Sequence, residues 1–114
     1  MTKGLLAYFL AVFSQTALAE RNHYYSGEEI EICDSPSRIT HRSDLNGEPY
    51  FITFGERYPD SYMTIVIWSN DLQDLEINPV SYFSSNNVCV AGRITMFRST
   101  PQIILRHPSQ IREQ

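Results

Sequence analysis

Val88-Cys89-Val90-Ala91-Gly92-Arg93-Ile94-Thr95-Met96-Phe97 is the longest strand-like run in this 114-residue chain. In an extended backbone successive side chains point to opposite faces, so Val88 and Val90 turn one way and Cys89 the other. Gly92 supplies the position for a bulge or sharp bend. Working back from this run, Pro79 to Asn87 reads as a crossover with Tyr82 and Phe83 as packing residues. Ser69-Asn70 is placed to cap a short helical stretch over residues 71–75. Tyr62–Trp68 and Tyr50–Phe54 are two further strands, rich in β-branched and aromatic residues and separated by a loop at Glu56–Asp60. Residues 43–49 are dense in turn formers. Glu28–Cys33 makes a first strand, interrupted at Asp34-Ser35-Pro36-Ser37 and resumed at Arg38–Arg42. Forward of the long run, residues 98–101 turn into a fifth strand, Gln102–Arg106, and a polar tail starts at Pro108.

Five strands with one short helix between the third and fourth match the order of an OB-fold, a small all-β Greek-key barrel. Closing that barrel pairs the first strand with the fourth and brings Cys33 beside Cys89. The alternation agrees independently: in Glu29-Ile30-Glu31-Ile32-Cys33 the isoleucines share one face, leaving Cys33 on the solvent side, as Cys89 is on its own strand. A disulfide closing that loop removes about 4 kcal/mol of unfolded-state freedom in the chain-entropy model. A redox pair would need a CxxC arrangement or a basic setting, whereas Glu31 and Asp34 make the surroundings acidic.

The N-terminus reads as an address. Lys3 precedes an apolar run from Gly4 to Ser14, and Ala17-Leu18-Ala19 has the small-x-small pattern of a signal-peptidase site. Residues 1–19 are then a cleaved signal peptide, with the cut after Ala19, and residues 20–114 the OB-fold domain. The run is shorter than the ~20 residues that span a bilayer, so no stable membrane anchor is expected after cleavage. The location implied is periplasmic or secreted, where thiols oxidise. Removal of Lys3 leaves eight arginines against thirteen carboxylates, a formal charge of −5. That balance argues against holding nucleic acid by bulk electrostatics.

The stretch Gly47-Glu48-Pro49-Tyr50-Phe51-Ile52-Thr53-Phe54-Gly55-Glu56-Arg57-Tyr58-Pro59 and the strand Met63–Trp68 resemble a family of small exported bacterial OB-fold proteins. So do Val88–Ile94, Pro101–Leu105 and Pro108–Ile111. The family is similar in turn to nucleic-acid-binding OB domains of the tRNA-anticodon and helicase-associated type. It tends to carry one cysteine in strand one and another in strand four, which Cys33 and Cys89 match. Two departures fall at the rim where ligand loops lie: Asp34 stands where the family has glycine, and Ser99-Thr100 replaces a glycine in the last hairpin.

The resemblance implies a ligand face on strands two and three. With Tyr50, Ile52 and Phe54 inward, Phe51 points out, and with Met63, Ile65 and Ile67 inward, so does Trp68. Phe51 and Trp68 are then candidate stacking platforms for bases. Arg57 and Arg98, with Tyr58 and Tyr62, are candidates to flank them and hold phosphate. The alternative is that the helical insertion or the lead-in covers both aromatics. Single-stranded DNA or RNA, bound weakly, is the expected partner; a periplasmic protein, docked in an envelope-stress or interaction module, is the other. No catalytic role, metal or cofactor is expected. Asp71, Asp74 and Glu76 lie in the presumed helix without a metal loop, and His23, His41 and His107 are isolated.

Overall fold

The computed structural model describes residues 23–56, 60–85 and 87–114. The signal segment at 1–19 and the candidates Arg57 and Tyr58 lie outside the described residues. Seven strands occur among the described residues: β1 (Glu29–Asp34), β2 (Arg38–His41), β3 (Tyr50–Gly55), β4 (Ser61–Ile67), β5 (Val88–Phe97), β6 (Thr100–Ile104) and β7 (Ile111–Glu113). Between β4 and β5 stand a 3₁₀ turn at Ser69–Asp71 and two short helices, α1 (Leu72–Leu75) and α2 (Pro79–Ser85). The β-rich architecture with helix between the third and fourth main strands is therefore as the sequence predicts.

The sheet order is β1-β5-β6-β4-β3-β2, with β7 added to β5. All pairings are antiparallel except β4 with β6. Two expectations need correction here. The strands number seven, not five, and the sheet is open rather than a closed barrel, because no ladder joins its end strands β1 and β2. The first strand divides at Ser35-Pro36-Ser37: Pro36 has no N–H to give to a ladder, so β1 pairs only with β5 and β2 only with β3. The seventh strand comes from the tail. Pro108–Gln110 turns the chain, and Ile111–Glu113 then pairs with Val88–Val90.

One row of side chains organises the interior. Ile39, Ile52, Ile65, Ile103 and Ile94 are register partners across β2, β3, β4, β6 and β5. The last four of these are fully buried, and Ile39 packs against them. β-Branched side chains suit a pleated, half-buried surface, and five in line fix the register, because a one-residue slip would turn the row to solvent. Leu75 and Phe83 bring the two helices onto the same core.

Gly92 sits where β5 passes from β7 to β6 along one edge. A Cβ there would stand 2.6 Å from Ile103 Cγ2, so only glycine lets the strands approach. Gln110 fills the gap: its Nε2 donates to Ala91 O and Ile104 O, and its Oε1 accepts from the Arg106 and His107 amides. The expected bend is thus built from a missing side chain on one strand and an amide plug from the tail.

The disulfide forms between register partners Cys33 and Cys89. Its surroundings differ from expectation. Cys89 is only 1% exposed, because β7 lies beside it and places Arg112 directly opposite. Arg112 reaches over to Glu31 in a two-pronged ion pair, Nε to Oε2 at 3.1 Å and Nη2 to Oε1 at 3.2 Å.

Candidate binding face

Outside the isoleucine row, the same register lays out the opposite face. One line of partners runs Thr40, Phe51, Val66, Ile104 across β2, β3, β4 and β6. The next runs Arg38, Thr53, Thr64, Gln102, Thr95 and extends onto β5. None of these nine positions carries a carboxylate, in a chain with a net formal charge of −4. Asp71, Asp74 and Glu76 lie on the helical insertion and Glu29 and Glu31 on β1, while Asp44 and Glu48 lie on the β2–β3 loop at the Trp68 end.

Phe51 is half-buried in the middle of this face, as its alternation predicts. Trp68 follows β4 at one end of the face. Its ring lies on the β2–β3 loop. Gly47 has φ +79°, and a Cβ on it would stand 2.8 Å from Trp68 Cε3. Ser69 ties the same loop down, its amide donating to Gly47 O at 3.1 Å and its hydroxyl to Glu48 O at 2.6 Å. Leu105 N donates to Val66 O, which carries the register past β6 and brings Arg106 to the Trp68 end.

Arg98 occupies the other extremity. It and Ser99 form the two-residue turn between β5 and β6, with φ of +51° and +67°. Its guanidinium carbon lies 5.2 Å above the Phe97 ring, and Phe97 is 53% exposed. Two-residue hairpins favour this left-handed geometry, but with asparagine and glycine in it. Arginine and serine here hold a conformation that costs each of them free energy.

Three arginines are neutralised by ion pairs: Arg42 with Asp44 at 2.7 Å, Arg93 with Glu29 at 3.1 Å, and Arg112 with Glu31. The Arg42 guanidinium holds the Asp44 carboxyl down at about 2. Arg38, Arg98 and Arg106 have no ion pair among the described residues. They stand on the β2 edge, at the hairpin tip and at the Trp68 end. Arg38 is the residue that sequence reasoning missed. Its signal was present in Arg38-Ile39-Thr40-His41, whose alternation puts Arg38 and Thr40 on the Phe51 side once Ile39 is inward.

Tyr62 does not belong with these residues. Phe54 pairs with Met63 and Gly55 with Ser61, so Tyr62 falls in a bulge with no partner opposite. Its ring crosses Gly55, where a Cβ would stand 2.7 Å from Cδ2, and packs near Phe54 and Tyr24. The hydroxyl donates to Asp34 Oδ2 at 2.6 Å. Burial, then the bond to the Asp34 carboxylate, pushes its pKa well above the ordinary tyrosine range.

For metal ligation, the described residues hold one close set of three donors: Glu31, Cys33 and Cys89. The two sulfurs are bonded to each other, so they offer no thiolate. No helix among the described residues is long and apolar enough to cross a membrane. Comparisons with protein-family models, with curated proteins and with solved structures find no match.

Proposed function

We propose that this chain is an exported, noncatalytic binding module of the OB type that holds single-stranded nucleic acid weakly and without sequence preference. If β1 and β2 are counted as halves of one bent strand, the five strands follow the Greek-key order of that fold. The ligand face of such barrels uses strands two and three with the loops after strands one and four. Those correspond here to β3, β4, the loop carrying Gly47, and the Arg98-Ser99 turn.

The observation that carries the reading is the charge segregation on this face. The nine register positions of the two rows, Arg38 among them, lack any carboxylate, although Val66 and Thr53 within them are buried. Arg98 and Arg106, like Arg38 without an ion partner among the described residues, stand at their ends. Half-buried Phe51 and Trp68 and exposed Phe97 supply π-surfaces, and stacking on such rings tolerates any base. Few cations and a net negative protein make the affinity low and salt-sensitive.

Trp68 is the only tryptophan and lies at the face, so it reports binding directly. Titrating the protein with a short oligothymidylate at low salt is expected to change its fluorescence, with an affinity that falls as salt is added. Absence of any affinity at low salt would overturn the reading. A pull-down from extract that recovers the same protein with and without nuclease treatment would favour the interaction module instead.

A further inference from the structure

A groove of about 560 Å³ lies at the other side of β2, between the β1–β2 break and α2. From the groove and its chemistry we infer a second site, for a small organic monoanion: a carboxylate attached to an apolar body. The inference shares Arg38 with the oligonucleotide reading and uses no other residue of that face.

The apolar wall consists of Pro36, Ile39, Val80 and Phe83. Val80 is 50% exposed on its helix, an aliphatic surface that an occupant of the groove would remove from water. Arg38 is the only charged residue lining the groove among the described residues. It has no ion pair among them, and a guanidinium fork matches a carboxylate in two parallel hydrogen bonds.

The serines narrow the class further. Ser37 donates to Thr53 O, Ser84 to Val80 O, Ser85 to Ser81 O and Ser35 to Asn87 Oδ1. Each of the four hydroxyls already has an acceptor inside the protein, so turning one to a ligand would cost that bond. Donation to a ligand rests on Arg38 and on Asn87 Nδ2, whose amide oxygen is already in use. One cation with one amide donor neutralises a single negative charge. A dianionic phosphate would leave charge uncompensated close to Asp34, which neighbours Ser35 and accepts from its backbone amide. The volume lies within the ~300–1,000 Å³ common for small-molecule sites.

The test is a titration of the ¹⁵N-labelled protein with 3-phenylpropionate, followed by amide chemical shifts. A ligand of this size is expected to bind with a Kd on the order of millimolar, with shifts concentrated on residues 35–39 and 80–85. The neutral 3-phenylpropanamide and the variant Arg38→Gln should each weaken binding at least tenfold, and Val80→Ser several-fold. Arg38 and Val80 are exposed, so these variants keep the fold, which their spectra report. Phe51→Ala should leave the affinity unchanged, which separates the groove from the oligonucleotide face. Equal binding of acid and amide, retained affinity in Arg38→Gln, or shifts centred elsewhere would each overturn the inference.

Discussion

Cys33 on β1 and Cys89 on β5 are direct register partners, bonded to each other with Cα atoms 4.0 Å apart and a sequence separation of 56. β5 is also the strand that carries β6 and β7, so this bond fastens the first strand to the hub of the sheet. The chain-entropy model assigns a loop of that length about 4 kcal/mol. Small domains have only about 5–15 kcal/mol of net stability. Reduction, or the double variant Cys33→Ser/Cys89→Ser, should therefore lower the unfolding free energy by roughly 3–4 kcal/mol in a denaturant titration. A loss under 1 kcal/mol would show that the ladder alone holds β1.

The Tyr62–Asp34 bond ties the β4 bulge to the end of β1, and it gives a pH dependence with a definite sign. The phenol is harder to ionise folded than unfolded, so its stabilising effect is whole below the unfolded value near 10. It is lost as pH rises from there toward the higher folded value. Absorbance titration should show late tyrosine ionisation, in step with unfolding, and Tyr62→Phe should remove the Tyr62 share while the upward-shifted Tyr82 remains. The variant leaves Asp34 without this donor, at a cost of about 1–2 kcal/mol. Oligonucleotide affinity should stay as it was, because Tyr62 packs with Tyr24 and Phe54 and bonds Asp34.

How far the sequence reached depended on whether local pattern or long-range pairing decided a feature. The inward set Ile52, Phe54, Met63, Ile65 and Ile67 was legible from alternation, whereas Val66, on the other side of β4, is buried as well. The cysteine pairing was legible from alternation too. Tyr62 was not, because nearness in sequence to the loop was its only signal and a bulge at Phe54–Gly55 leaves it without a partner. The tail was not either: Ile111-Arg112-Glu113 is too short to announce a strand, and forms one only because β5 offers it an edge beyond the Gly92 bend. Cys89 is buried as a consequence. Arg38 escaped notice because β2 has just four residues after a proline, so its face follows from β3 rather than from itself.

The β2–β3 loop depends on the absence of a side chain at Gly47. An added Cβ would meet the Trp68 ring at 2.8 Å while the backbone sits at φ +79°. Gly47→Ala should cost about 2 kcal/mol, part from the left-handed backbone and part from displacing the indole. Tryptophan emission should shift to longer wavelength as the ring is pushed into water. An unchanged spectrum and midpoint would mean that the loop yields instead of the ring.

The hairpin tip opposes stability to binding. Arg98 and Ser99 hold positive φ without being glycine or asparagine. Strained backbone of this kind is a feature of functional loops. The double variant Arg98→Asn/Ser99→Gly should raise stability by about 1–2 kcal/mol. The same change should weaken oligonucleotide binding, because it removes the guanidinium above Phe97. A variant that is stabilised and binds equally well would exclude the tip from the ligand face.

Salt dependence counts the cations that touch phosphate. Each phosphate neutralised on a single strand contributes about −0.7 to the slope of log K against log salt. With Arg38, Arg98 and Arg106 engaged, the slope should be about −2. Replacing any one of them with glutamine should bring it to about −1.4. Arg93→Gln and Arg112→Gln should leave the slope alone, since those guanidiniums are already matched by Glu29 and Glu31. A slope much steeper than −2 would mean that ion pairs on β1 open to recruit more arginines. A slope near zero, with affinity retained, would assign the binding to stacking on Phe51 and its neighbours alone.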